Sequence, residues 1–452
     1  MEAETLCRPD KQQQLWADCE IGVIIHYSRG LLGMQNLEGV PCDQAADASK
    51  LNPENLDTDQ WLASAAELGA KYAVFVANQR NCQGISLWQS SSNPYSLKQS
   101  PYQNGRFDCV EAFIRSCKKY HILPGLYYQT GYGGHYFEKE KYRTPGTPEH
   151  ERYLKVTKGD LTELWTRYGS LFEIWFDGGA DSLERTGLDV GRLLEKYQPG
   201  AICFQGPASH ERNLRWIGNE DGIAACDTCS TTDQRTFFYD GTEKDELVGK
   251  GCAGGKFWIP AETDIPNRRP EGRGVGWGWA PDEENLVWTP EELLERYYTS
   301  VGRNSNLLLG QCIADDGKFQ DTEQFRNLGK KICSIYEKNL GRTAGTGNSF
   351  SIRFPEGVVA RTISVMEEIA EGERVREFRL IAETSEGEHE LYHAQTIGHK
   401  RLIRLEPLRA EKIRLDGSQE SGTLKYSVKR EKGEIYEKEK TGSSGSGEET
   451  VV

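Results

Sequence analysis

Residues 171–178 read LFEIWFDG, an apolar run that carries one acid inside it and ends on an Asp-Gly pair. A strand this apolar suits a sheet covered on both faces rather than one with a wet face. Similar runs recur along the chain: IGVIIHY (21–27), KYAVFVA (71–77), ILPGLYYQ (122–129), AICFQG (201–206), FWIPAE (257–262) and SNLLLG (305–310). Helical patterns lie between them, among them DQWLASAAELGA, DCVEAFIRSCKKY, YLKVTKGDLTELWTRYG, VGRLLEKYQPG and PEELLERYYTSVG. Strand–helix alternation with apolar strands predicts an α/β fold, a parallel sheet wrapped by helices. Seven or eight such units in about 330 residues predict a (β/α)8-like barrel. The rival is a doubly wound open sheet, but no GxGxxG follows the first strand.

The pattern changes after NLGKKICSIYEKNLGRTAG. From Ser349 onward short alternating runs, such as Phe378, Leu380 and Ala382, are separated by glycine and acidic turns, which predicts a β-sandwich. The expected domains are a barrel over 1–342, a β-sandwich over 343–430 and a charged, Gly/Ser-rich flexible tail over 431–452.

Composition narrows the function. The 452 residues carry a net charge of −14, which argues against a nucleic-acid partner, since phosphate binding wants clustered Lys and Arg. No apolar run approaches the roughly 18 residues of a membrane span, so no membrane partner is expected. The first residues, MEAETLCRPDKQQQLW, lack an apolar h-region; as written the chain reads as cytoplasmic, and as secreted had a leader been removed. Twelve cysteines are scattered through it and read as reduced and mostly buried. Cys226 and Cys229 form a single CxxC; a zinc ribbon needs a second pair, so they read as loop thiols, with no metal and no cofactor expected.

In a barrel of this kind the active site lies at the C-terminal strand ends. The residues ending the runs are His26 and Tyr27, Asn78, Tyr127 and Tyr128, and Trp175 to Asp177. One histidine, aromatics, an amide and several carboxylates converging on one mouth suit a sugar: aromatic faces stack on the ring and polar groups fix its hydroxyls. Two carboxylates there can cut a glycosidic bond. Each residue also has a bland reading. Asp177 can be the N-cap of the next helix, His26 a core histidine, Tyr127 and Tyr128 packing residues, and Glu220 a solvated loop acid.

The motifs GVIIHY, GAKYAVFVA, LPGLYYQ, EIWFDGG, RWIGNE, PAETD, GWGWAPDE and SVGRNSNLLL together resemble glycoside hydrolase family 29, the α-L-fucosidases. The similarity runs from about residue 14 to 340, and RVREFRL and TIGHKRLIRL resemble that family's C-terminal β-sandwich. The resemblance implies a retaining α-L-fucosidase acting on a fucosylated glycan. It places the nucleophile at Asp177 and a fucose-pocket residue at Trp175. Sugar-hydroxyl contacts fall at His26 and Tyr128, and pocket-closing aromatics at Trp277 and Trp279. RWIGNE resembles the branch that prefers α-1,3- and α-1,4-linked fucose, which implies Glu220 as acid/base and Arg215 beside it holding that carboxylate or the sugar. Glu262 is the runner-up for acid/base.

One departure stands out. The family usually carries KHHDGF after the second strand, two histidines that grip fucose hydroxyls; this chain has ANQRNCQGISLW. Asn78, Gln79 and Arg80 replace imidazoles with amides and a fixed cation. Amides still serve hydroxyls, but a galactose-type ring, or an acidic decoration reached by Arg80, becomes an alternative. A glycan-binding protein without catalysis is the third reading.

Overall fold

The computed structural model describes residues 6–27, 48–80, 84–131, 141–235, 249–337, 339–419 and 423–429. The expected tail at 431–452 lies outside the described residues. Six strands open the chain: β1 (Ile21–His26), β2 (Tyr72–Asn78), β3 (Leu123–Tyr128), β4 (Glu173–Trp175), β5 (Ile202–Phe204) and β6 (Asn213–Trp216). After a separate antiparallel pair, β7 (Thr231–Thr232) and β8 (Phe257–Trp258), come β9 (Ala261–Ile265) and β10 (Ser305–Cys312). Strands β1 to β6, β9 and β10 close an eight-stranded parallel barrel in the order β1-β10-β9-β6-β5-β4-β3-β2.

Two strand readings need correction. FWIPAE is not one strand: Phe257–Trp258 pairs with β7, and after Pro260 the barrel strand starts at Ala261. Asn213–Trp216, absent from the apolar runs named above, is the barrel strand between β5 and β9. It escaped notice because only Leu214 and Trp216 of its four residues are apolar, too few to show a period.

Alternation along the barrel strands sorts side chains into two layers. Ile24, Val74, Val76, Tyr127, Trp175, Phe204, Leu214 and Leu308 pack together inside the barrel. Their neighbours Val23, Ile25, Phe75, Tyr128, Ile174, Cys203, Leu307 and Leu309 pack outward among the helices. Helices Thr58–Leu68, Cys109–Tyr120, Pro148–Arg167, Val190–Tyr197 and Pro290–Thr299 all start on Asp or Thr side chains that accept backbone N–H groups.

The second domain begins with β11 (Asn339–Thr346), which crosses the expected boundary at 342/343 and belongs by its pairing to the sheet. With β12 (Ser349–Glu367), β13 (Val375–Thr384), β14 (Gly387–Ala394), β15 (Arg401–Gln419) and β16 (Thr423–Lys429) it makes one antiparallel sheet, ordered β11-β16-β12-β15-β13-β14. The long strands β12 and β15 slip register between Arg353 and Val358 and again between Ala360 and Thr362. Such slips bend the sheet, and both halves close over one core that includes Phe350, Ile363, Phe378, Leu380, Ile403 and Ile413. The domain is fastened to the barrel by buried polar groups. Glu373 accepts from Ser230 N at 2.9 and 3.0 Å and from Asn304 Nδ2 at 2.7 Å, Lys400 pairs with Glu20, and the fully buried Arg401 donates to the carbonyls of Cys226 and Thr396.

Among the described residues no helix is long and apolar enough to cross a membrane.

Candidate active site

Strand β4 explains why an acid ends the run that decides the fold. Its alternate residues Glu173 and Trp175 lie inside the barrel, and Asp177 comes next at the mouth. Two residues of strand advance about 6.6 Å, so the three stack as floor, middle and rim. Asp177 does not cap the following helix: Ser182 does that for Leu183–Thr186. Instead the Asp177 Oδ2 accepts from the Tyr127 hydroxyl and from Gln129 Nε2, both at 2.6 Å. A left-handed glycine pair, Gly178 and Gly179 with φ of 70° and 85°, turns the chain sharply away just beyond it. Asp181, farther along, is buried 3.7 Å from Arg143 and 3.6 Å from Arg185.

Trp175 forms the middle layer. Its ring stacks on Phe204 at 3.9 Å and on Tyr127 at 5.2 Å, interplanar angles of 5° and 13°. Beneath it the indole Nε1 donates to Glu262 Oε2 at 3.0 Å.

Glu262, the runner-up for acid/base, lies on the floor. It is fully buried, and its Oε1 accepts from Tyr72 at 2.6 Å. Burial pushes its carboxyl up to about 7, and the carboxyl of Glu173 lies against it, also raised by burial and by Glu262. A carboxyl walled off by Trp175 and Tyr72 does not reach a bound substrate, and that removes Glu262 from the acid/base role.

Glu220 is exposed in the loop after β6, where the indole Nε1 of Trp277 donates to its Oε2 at 2.9 Å. Trp277 packs against His26 at 5.3 Å, and His26 lies 6.5 Å from the ring of Tyr127. An unbroken path of contacts therefore joins the carboxylates: Asp177, Tyr127, His26, Trp277, Glu220. Trp279 is half-buried two residues beyond Trp277.

Three expected site residues sit elsewhere. Tyr128, next to Tyr127, points outward by strand alternation. Its hydroxyl donates to Asp160 at 2.9 Å and accepts from Arg80, so the mouth-facing tyrosine is Tyr127. Arg80 is fully buried, donates to Thr157 at 2.8 Å and lies over the rings of Tyr128 and Tyr153, which keeps it from an acidic sugar. Arg215 is also on the outward face of its strand, donating to the carbonyls of Ile259 and Cys229. Burial lowers its guanidinium to about 10. Asn78 is fully buried and donates to Ser86 at 3.0 Å, and Gln79 is buried beside it.

The sequence reading passed over Asp264, Gln129 and Trp216. Asp264 is two residues after Glu262 and so one layer higher, buried, and accepts from Trp216 Nε1 at 2.8 Å. Burial first, then the nearby charge of Glu220, raises its carboxyl well above the usual range. The signal was present: once Glu262 is inward, the period of two makes Asp264 inward as well. Of the CxxC pair, Cys226 is exposed and Cys229 is buried, its thiol pushed up to about 12 by burial.

Comparison with known proteins places the chain among its relatives. The family model described as alpha-L-fucosidase matches residues 44–330. Alpha-L-fucosidase 1 of Arabidopsis thaliana is 28% identical over 442 residues, 88% of this chain and 81% of that protein. A crystal structure described as a candidate alpha-L-fucosidase from Bacteroides thetaiotaomicron superposes with a TM-score of 0.85 at 29% identity, covering 94% of this chain and all of that one. A glycoside hydrolase 29 family member from a rumen bacterium superposes with a TM-score of 0.79 at 27% identity, over 95% of this chain and 78% of that one. Since the matched family model spans well over half of the chain and includes both Asp177 and Glu220, this chain belongs to the alpha-L-fucosidase family, glycoside hydrolase family 29.

Proposed function

We propose that this chain is a retaining exo-α-L-fucosidase that releases fucose from α-1,3/1,4-fucosylated oligosaccharides or glycoconjugates. The observation that carries the reading is the contact path from Asp177 to Glu220 across the barrel mouth. Both donors to Asp177 converge on Oδ2, which leaves Oδ1 as the attacking oxygen. It bonds to the anomeric carbon as the glycosidic C–O bond breaks, and Glu220 gives its proton to the departing oxygen. Glu220, now a carboxylate, takes a proton from water; the water oxygen bonds to the anomeric carbon and Asp177 departs. Retention calls for the two carboxyl groups about 5–5.5 Å apart in the working complex. Trp175, stacked under the mouth, and His26 at its edge suit the apolar face and the hydroxyls of one pyranose. RWIGNE supports the α-1,3/1,4 preference.

A galactose-type substrate is the second reading, favoured by Asn78 and Gln79 where the family has imidazoles. A panel of nitrophenyl glycosides decides between them: release from the α-L-fucoside is expected, and release only from another sugar overturns the first. Proton NMR of the first-formed product is expected to show the α anomer; the β anomer would overturn double displacement. Trapping with a 2-fluoro fucosyl fluoride is expected to label the peptide containing Asp177 and to fail in Asp177→Ala.

A further inference from the structure

Beside the Trp277 bond to its carboxylate, Glu220 has a second link to the barrel through the loop that carries it, and that link runs to Asp264. Glu220 is exposed and lies in segment 217–222 of the irregular stretch, 217–230, that joins β6 to β7. A general acid must meet the leaving oxygen within hydrogen-bond reach, so a loop carboxyl needs an external reference. Strand β9 provides it. At the segment's start, Ile217 N donates to the carbonyl of Glu262 at 3.3 Å; two residues past Glu220, Gly222 N donates to the carbonyl of Asp264 at 3.1 Å. Immediately before the loop, the indole Nε1 of Trp216 donates to the side chain of Asp264 at 2.8 Å. Asp264 thus grips the loop on both sides, by its carboxyl before Glu220 and by its main chain after it. It is 4% exposed and rigidly placed, since β9 pairs in register with β10 through Leu308 opposite Asp264. Gly222 has φ of 68°, and a Cβ there would come 3.2 Å from the side chain of Arg296, so the turn just after Glu220 requires glycine.

We propose that Asp264 is a positioning residue for the acid/base. Its side-chain bond to Trp216 fixes the entry of the 217–222 loop and thereby the approach of Glu220 to the leaving oxygen. This rests on the reading of Glu220 as acid/base. A misplaced acid hurts only substrates that need protonation to depart. The test therefore measures kcat/KM for a series of aryl α-L-fucosides, from dinitrophenyl to unsubstituted phenyl, in Asp264→Ala, Asp264→Asn, Trp216→Phe and Glu220→Ala.

Glu220→Ala is expected to lose about 10²- to 10⁴-fold on the phenyl fucoside, the usual contribution of a general acid, and little on the dinitrophenyl one. Asp264→Ala and Trp216→Phe are expected to show the same leaving-group dependence with a loss of about 10²-fold on the phenyl fucoside, the scale of a misplacement by about an ångström. Asp264→Asn, which keeps an acceptor for the indole, is expected to restore most of that loss. Equal losses across the series in Asp264→Ala and Trp216→Phe, with Glu220→Ala still leaving-group dependent, would overturn the positioning role alone, as would an Asp264→Asn protein no better than Asp264→Ala. A Glu220→Ala protein without leaving-group dependence would overturn the acid/base assignment itself.

Discussion

The hydroxyl of Tyr127 donates to Asp177 Oδ2 at 2.6 Å while the ring of the same tyrosine lies flat against Trp175. One residue thus ties the rim carboxylate to the aromatic layer below it. Removing only the hydroxyl separates these jobs. Tyr127→Phe is expected to lower kcat about 10- to 100-fold, the worth of a hydrogen bond to a charged group, with Tm within about 2 °C of the parent because the stack survives. Steady-state kinetics with an aryl fucoside and a thermal melt check both halves.

The floor of the barrel carries a pH dependence of its own. The folded-state value of Glu262 is about 7, raised by burial above an ordinary 4.5. The folded protein therefore holds a proton that the unfolded chain releases between these values, and the stability contributed by the neutral carboxyl is complete below pH 4.5 and lost as pH rises through 7. Glu262→Gln mimics the neutral form. Its melting temperature relative to the parent is expected to rise from pH 5 to pH 8 by a few degrees, about 2–4 °C per kcal/mol at most for a protein this large. A constant difference across that range would contradict the assignment.

Gly22 admits no side chain. A Cβ there would come 2.3 Å from the ring of Tyr72, whose hydroxyl is committed to Glu262. Gly22→Ala is expected to cost about 1–3 kcal/mol through overpacking, read as a lower urea midpoint.

Arg80 is a structural cation. Asp160, fully buried and pushed up to about 6 by that burial, is held down by Arg80 and by the hydroxyl of Tyr128. Arg80→Met is expected to destabilise the fold by about 3–5 kcal/mol, the usual cost of leaving a buried charge unpaired. The rates on sialylated and neutral fucosylated substrates are expected to change by the same factor. A selective loss on the sialylated one would return Arg80 to the binding site.

The barrel was legible because its strands announce themselves as apolar runs, and β4 and β10 are examples where both faces are covered. Strand β6 was not, because four residues ending in Arg-Trp give no periodicity. Strand-end position was legible where a polar residue closes an apolar run, as at Asp177 and His26, which the fold brings to the same mouth. It was illegible where one strand step decides: Tyr127 and Tyr128 are equivalent as letters, and only the register between β2 and β3 tells which faces inward. Arg215 and Trp216 differ in the same way. Asp264 went unread because the PAETD motif directs attention to its glutamate, which the fold then buries on the floor.

Both groups that seat Asp177, a phenol and a primary amide, are electrically neutral. A ligand that brings a protonated nitrogen in place of the ring oxygen or the anomeric carbon would therefore supply a countercharge that neither Tyr127 nor Gln129 does. Basic iminosugars of the fuco configuration are for this reason a better starting point for inhibitors than neutral lactones, and their advantage should shrink as salt concentration rises.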